Sequence, residues 1–473
     1  MSLISNLNKA DKIFLLVWVI TVLIQFHYFR QVQVHLSENS VGLVGFTTET
    51  DYGNLSKNLF HHNVYKNGEY PNLVAEKKRP PFYPFMLSMW YRLFGDDQFS
   101  GIVFNNVLLS LTIIFVFLMG RLINSSVGII SAIIIICDPM TIQRANSIQS
   151  EVPFMFVFTI SIFLLLLYFV VRPKLTYAIA FSFVFFLSTF TRAVTLYFPY
   201  LIPIIFLIFA ISLKDGYKKH LNFILIFFLV NSTLSGLWMY RNYTVSGLSY
   251  FTGMKDIHAY NYLAVVSTGA KKYHSGQVSR KELKKALDTK YLDNDNYRGL
   301  SGVDKYHYRI SVAKKVIIDN WKGFTYHFFY GFGNFFVGYS GSLYWLNYPP
   351  EKYAKRQEFS QIKDQGDRLK SLWNKGYWDY LLYSAVTIGF LYMNVIFTIG
   401  GFYNFLFVNQ DKRKKRFGIF IFILFCYIVF MSCTWGISRL RLQINPIMAL
   451  TSSYFLCSLI SRLKISRAIF KRN

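Results

Sequence analysis

The chain alternates long apolar runs with short polar breaks. Runs near residues 12–30, 100–123, 126–143, 152–171, 175–190, 193–213, 220–240, 380–408, 416–435 and 440–461 each supply most of the ~20 apolar residues a bilayer-crossing helix needs. Two of them, 126–143 and 175–190, are short for a span. The pattern predicts an all-α polytopic membrane protein of about 10–12 transmembrane helices. Two long segments interrupt it, 31–99 and 241–379. They divide the chain into an N-terminal transmembrane module over 1–240, a segment outside the bundle over 241–379, and C-terminal transmembrane helices over 380–473.

Charge in the short breaks orients the bundle. Lys214, Lys218 and Lys219 fall in one break, Lys412, Arg413, Lys414, Lys415 and Arg416 in another, and Arg462, Lys464, Arg467, Lys471 and Arg472 close the chain. Short cytoplasmic loops collect Lys and Arg. An even number of crossings with both termini inside puts all three clusters in the cytoplasm and turns 31–99 and 241–379 outward. The first apolar run has no clear cleavage site after it and is read as an uncleaved span.

Composition agrees. Hydrophobic residues make up 53%, aromatic residues 19% and charged residues 16%, against about 25% charged in soluble domains. A net charge of +27 raises nucleic acid as a partner for a soluble chain, but no RNA- or DNA-reading motif is present. Basic loops beside anionic lipid account for the charge. The four cysteines, Cys137, Cys426, Cys433 and Cys457, lie in apolar runs without metal-ligand spacing and are read as packing thiols. Abundant Lys, Asn, Ile, Phe and Tyr suggest an AT-rich genome and a bacterial plasma membrane.

The first outward segment carries two amphipathic patterns. From Asp51, apolar Tyr52, Leu55, Leu59 and Phe60 alternate with polar Asn54, Lys57 and Asn58 at helical spacing. Thr48, Thr50 or Asp51 can cap that helix, and Asn63 to Gly68 ends it. In 79–95, Pro80 and Pro81 suit a helix start. Phe82, Phe85, Met86, Met89, Trp90 and Leu93 then form one stripe, too short to span and suited to the membrane interface. The aromatic, glycine-rich stretch 323–346 is read as lying in the interface, re-entering or crossing.

Candidate chemistry sits at the outward turns. They carry few charges, yet Arg144, Arg192, Arg241, Arg439 and Arg441 are all there, with Glu49, Asp51 and Glu151. Taken singly, each arginine reads as snorkelling or ion-paired. Charge at a membrane segment is costly and often functional, and the guanidinium fork suits phosphate. Taken together, these residues suggest a site for a lipid-linked phosphate beside a general base. Glu151 either supports that site or forms a salt bridge with Arg144.

In order along the chain, these residues resemble membrane glycosyltransferases of the GT-C type, nearest to the family 39-like group of protein O-mannosyltransferases and the lipid A aminoarabinose transferase. The resemblance is carried by Glu49-Thr50-Asp51-Tyr52-Gly53, by Arg79-Pro80-Pro81-Phe82-Tyr83-Pro84 ending in Leu93-Phe94-Gly95, and by Asn105 with Leu109. It continues with Ser150-Glu151, Thr191-Arg192, Arg241-Asn242 with Gly247, and Arg439-Leu440-Arg441 with Pro446. It implies a GT-C fold and a sugar donor on a polyprenyl or dolichyl phosphate. It also implies inverting transfer at the extracytoplasmic face to a hydroxyl-bearing acceptor (protein, glycolipid or envelope polymer), with no cofactor or metal.

Within that resemblance, Glu49 or Asp51 is the catalytic base, because aligning on Tyr52 puts Thr48 where the family's usual acid stands. Arg192, Arg241, Arg439 and Arg441 are the donor-phosphate ligands. Arg79, Tyr83, Glu151 and Asn242 bind or support substrate. A polysaccharide polymerase or ligase, and a transporter of lipid-linked sugars, are the alternative readings.

Overall fold

The computed structural model describes residues 8–37, 51–213, 220–339, 341–348 and 365–470. The chain is helical, with a single two-stranded hairpin, β1 (Lys66–Asn67) antiparallel to β2 (Val74–Ala75), among the described residues. Seven helices are long and apolar enough to cross a membrane, and an eighth candidate is a bent pair over 125–145. Two shorter apolar stretches, 175–191 and 193–209, complete the set. Together they occupy the ten runs read from the sequence, in an integral, multi-pass architecture.

In chain order the first helices are α1 (Lys9–Ser37), α2 (Asp51–His62), α3 (Phe82–Phe94) and α4 (Gln98–Ile123). Asp97 caps α4 by accepting from the amides of Phe99 and Ser100 at 2.7 and 2.9 Å. The start of α1 meets the end of α4 through Arg121 and Asp11 at 2.6 Å, so the two helices run antiparallel. Asn124 ends α4 and caps α5 (Ser125–Cys137) through the Ser126 amide. This tight return needs Gly120 and Gly128, because a Cβ built on Gly120 falls 2.5 Å from the Gly128 Cα.

The run 126–143 is not one straight span. Pro139 lacks an amide proton and pushes Asp138 out of the helical region, to φ −81°, ψ 110°. Asp138 then caps a short α6 (Pro139–Ala145), which leaves α5 at an angle of 68°. The chain turns again into α7 (Glu151–Leu166), α8 (Leu175–Thr191), α9 (Ile202–Leu213) and α10 (Leu221–Ser246).

In the first loop, α2 buries Tyr52 and Leu55 and exposes Asn54 and Lys57, as the pattern requires. Asn58 departs from it. It is buried because its amide donates to the Lys66 and Gly68 carbonyls at 2.8 and 3.0 Å, pinning the hairpin. Helix α3 buries Tyr83, Leu87 and Tyr91, and turns Phe85, Met89 and Leu93 outward. Part of the stripe, Phe85, Met89 and Leu93, thus faces away from the protein, while Met86 and Trp90 pack against the main core.

Beyond α10 come α11 (Met254–His258), α12 (Arg280–Tyr291), α13 (Gly302–Asp319) and α14 (Trp321–Val337). Tyr260, Val265, Leu287, Val312 and Val316 form a small core there, separate from the main one. Helices α15 (Trp378–Tyr403), α16 (Lys412–Cys433) and α17 (Asn445–Phe470) close the fold. Their Phe402, Phe420 and Met448 share the main core with Leu109, Ile135 and Phe158 from the first half. Stretch 323–346 supplies most of α14 and is not among the candidate spans. The cysteines are free, but Cys137 and Cys426 are exposed on outward helix faces rather than packed inside.

Replacing Gly128 by Ala forces the new methyl toward the Phe117 carbonyl at 2.7 Å. Overpacking of this kind costs about 1–3 kcal/mol, so Gly128→Ala is expected to lower the melting temperature in detergent measurably.

Candidate active site

A cavity of about 1040 Å³ opens at the end of the bundle opposite Asp11 and Arg121. Its charged wall is Asp51, Lys78, Arg79, Glu151, Arg192, Lys255 and Arg439. Its apolar wall includes Val194, Tyr197, Met239, Phe430 and Leu440. Polar groups converging on one side of an apolar hollow are the usual form of a small-molecule site.

Each charged group is placed by a local feature of the sequence. Buried Glu76 accepts from the Lys78 and Arg79 amides and folds the KKRP stretch into a turn. Tyr65 donates to the Arg79 carbonyl at 2.6 Å. Arg79 then reaches the first turn of α2, where its Nε and Nη2 donate to Asp51 Oδ2 at 3.3 and 3.1 Å. Its guanidinium lies over the Tyr52 ring at 5.0 Å. The Asp51 side chain stays partly open to the cavity, 43% exposed.

Glu151 is the anionic centre of the deeper wall. It begins α7 and is buried. Its Oε1 meets Arg192 Nη1 at 3.0 Å and Arg439 Nε at 3.5 Å. Arg192 also donates to Ser150 Oγ at 3.0 Å. Gln149 Oε1 accepts from Arg439 at 2.9 Å and from Arg144 at 3.2 Å. One buried carboxylate thus gathers arginines from two separate turns. Of the two readings of Glu151, a salt bridge with Arg144 or a place in the site, the described ion pairs are with Arg192 and Arg439 of the cavity wall.

Four expected site residues, Arg441, Arg241, Asn242 and Tyr83, stand behind the wall rather than in it. Arg441 is fully buried. Its Nε and Nη2 bind Asp138 at 3.0 Å each. Its Nη1 donates to the carbonyls of Phe335, Phe336 and Gly338 at 3.1, 2.9 and 2.9 Å. These are the carbonyls that the end of α14 leaves open. The Arg441 fork is thus occupied by Asp138 and these carbonyls and is not part of the cavity lining.

Arg241 donates to the Glu76 carbonyl at 2.9 Å and stacks on Trp238 at 4.9 Å, so it braces the KKRP turn from outside the cavity. Asn242 holds the Tyr250 and Phe251 carbonyls at 2.9 and 3.2 Å, and so positions cavity residues without lining the space itself. Tyr83 is buried and donates to Asn105, which in turn donates to the Ser147 carbonyl at 2.6 Å. Glu49 lies outside the described residues.

Sequence reasoning missed Lys78, Lys255 and His258 in the cavity lining, and Asp138 beneath it. Asp138 had a signal, since an Asp before Pro inside an apolar run is a helix break with a cap. His258 stacks on Trp435 at 3.8 Å, and burial holds its imidazole down at about 4, neutral at physiological pH. Among the described residues no group of three or more His, Cys, Asp or Glu side chains is arranged to hold a metal ion.

Breaking the Arg441 node leaves a buried charge without its partner, at a cost of about 3–5 kcal/mol. Arg441→Ala and Asp138→Ala are therefore each expected to depress thermal stability strongly in detergent. Unchanged melting would show that the node does not hold the fold.

Residues 78–236 match the family model described as dolichyl-phosphate-mannose-protein mannosyltransferase. No curated protein matches the chain significantly. Among solved structures, the Archaeoglobus fulgidus oligosaccharyltransferase in its apo form is similar at 15% identity and a TM-score of 0.49, over 97% of this chain and 52% of that one. The chain thus spans about half the length of that protein. ArnT from Cupriavidus metallidurans, solved with undecaprenyl phosphate, is similar at 11% identity and a TM-score of 0.38, over 93% and 77%. The matched stretch contains Lys78, Arg79, Glu151 and Arg192, so the family resemblance read from the motifs falls on the cavity wall. The order of the motifs and the family model agree on this stretch: residues 78–236 of this multi-pass membrane protein are similar to the dolichyl-phosphate-mannose-protein mannosyltransferase family.

Proposed function

We propose that the protein transfers a sugar from a polyprenyl-phosphate donor to a hydroxyl-bearing acceptor at the extracytoplasmic face of the membrane. The observation that carries this reading is one carboxylate, Asp51, sharing a cavity with the paired arginines Arg192 and Arg439. The apolar wall beside them suits a lipid chain, and the guanidinium groups suit its phosphate.

In the proposed step, the acceptor hydroxyl approaches the anomeric carbon on the side away from the phosphate. Asp51 takes its proton. The new oxygen–carbon bond forms as the bond from the anomeric carbon to the phosphate oxygen breaks, so the configuration inverts. Polyprenyl phosphate leaves with one more negative charge, which Arg192 and Arg439 stabilise. Arg79 keeps the Asp51 carboxylate oriented through Oδ2 and leaves Oδ1 to the acceptor. Glu151 organises the two arginines, and no step of this scheme calls for a cofactor.

The test uses the full chain in nanodiscs with synthetic undecaprenyl-phosphate mannose and membrane extract as acceptor source. Asp51→Asn is expected to lower sugar transfer on the order of 10²–10⁴-fold, the usual worth of a general base, with donor binding retained. Full transfer by Asp51→Asn together with its loss in Glu49→Gln would move the base to Glu49. Arg192→Ala and Arg439→Ala are expected to weaken undecaprenyl phosphate binding about tenfold or more, as loss of a hydrogen bond to a charged group does. Unchanged affinity in both would sink the phosphate site. Movement of intact donor across a vesicle membrane, with no sugar transferred, would favour a transporter.

A further inference from the structure

We infer that the acceptor is an anion, carrying a phosphate or carboxylate near its reacting hydroxyl, and that Lys255 recognises that charge. This rests on the cavity being a glycosyl-transfer site.

The first argument is charge. Among the described residues the cavity wall holds five cations, Lys78, Arg79, Arg192, Lys255 and Arg439, against the two carboxylates Asp51 and Glu151. The neighbouring His258 stays neutral at physiological pH. The donor's phosphodiester brings one negative charge to a surplus of three. A cleft lined by one sign attracts the opposite sign, and the remaining surplus is matched by a second anion. That second anion is the acceptor, since it is the other molecule the reaction brings in.

The second argument is placement. Lys255 belongs to α11, outside the stretch that matches the family model. Its neighbour Asp256 is buried and paired with Arg309 of α13, so it is turned to other work. Lys255 itself is exposed, with no ion pair among the described residues. The turn before it is fastened to the KKRP turn, with the Gly253 amide on the Lys77 carbonyl at 2.8 Å and the Thr252 hydroxyl on the Lys78 carbonyl. Lys255 is therefore held on the same framework as Arg79 and its partner Asp51. An anionic acceptor bringing its hydroxyl to a carboxylate base meets repulsion. A cation fixed on that framework offsets it.

The experiment measures binding, so it does not depend on turnover. The full chain in phosphatidylcholine nanodiscs is titrated with three labelled probes, an oligo(glycerol phosphate), an oligogalacturonate and an uncharged oligoglycerol. At least one anionic probe is expected to bind tenfold or more tightly than the neutral one. Lys255→Gln should reduce that preference at least fivefold, and Lys255→Arg should keep it. Lys314→Gln, an exposed lysine of α13 away from the cavity lining, should leave it unchanged.

Equal binding of all three probes overturns the inference, and so does an equal loss from Lys255→Gln and Lys314→Gln. Repeating the titration in phosphatidylglycerol nanodiscs separates the sources of charge. Loss of probe binding there means that Lys255 serves lipid headgroups, which also overturns it. Undecaprenyl phosphate binding in the same samples reports on the parent reading. Its absence sinks the donor site, whereas its presence without anion preference sinks only the acceptor assignment.

Discussion

A fully buried ion pair between Asp138 and Arg441 holds the two halves of this fold in register. Two charges taken out of water cost several kcal/mol each, and recover it only when every polar atom is satisfied. Here the bend at Pro139 frees a carboxylate, the turn before α17 supplies a guanidinium, and the open carbonyls at the end of α14 absorb its remaining donors. Asn445 adds a bond to Asp138 at 3.1 Å and one to Thr141 at 3.2 Å. Three distant parts of the chain meet in this node. The 3-10 turn Ser438–Gln443 that delivers Arg441 inward also delivers Arg439 to the cavity.

Just above that node the cavity repeats the same chemistry with a different balance. Glu151 has more cations around it than it can neutralise, so positive charge is left facing the space. Asp51 is gripped on one oxygen and open on the other. The side of the cavity across from this wall is apolar, with Val194, Tyr197, Met239 and Phe430. Braces such as Arg241 and Asn242 keep the loops rigid enough for the charged groups to hold their positions without ligand.

The helices were legible because a membrane span needs little more than a long apolar run, and each of the ten runs became helix. The bend within 126–143 was legible in principle from Asp138-Pro139, but the strength of the surrounding hydrophobicity masked it. At the site, the motif order marked Asp51, Arg79, Glu151, Arg192 and Arg439 as residues that belong together. It did not separate Arg441 from Arg439, because two residues of spacing in a 3-10 turn send one side chain into the core and the other into the cavity. Only tertiary geometry distinguishes a guanidinium that lines the cavity from one that caps a helix. Lys255 and His258 had no signal, since they lie in a segment whose pattern speaks of surface helices.

The distance in sequence between Asp138 and Arg441, 303 residues, bears on biogenesis. A nascent chain inserts helix by helix, and Asp138 enters the bundle long before its counter-charge is made. Until the turn Ser438–Gln443 has been made, that carboxylate lacks Arg441 and the cavity lacks Arg439. The cavity is thus assembled only once residue 441 has been made, and a product that stops before it is left with an orphaned acid among its helices.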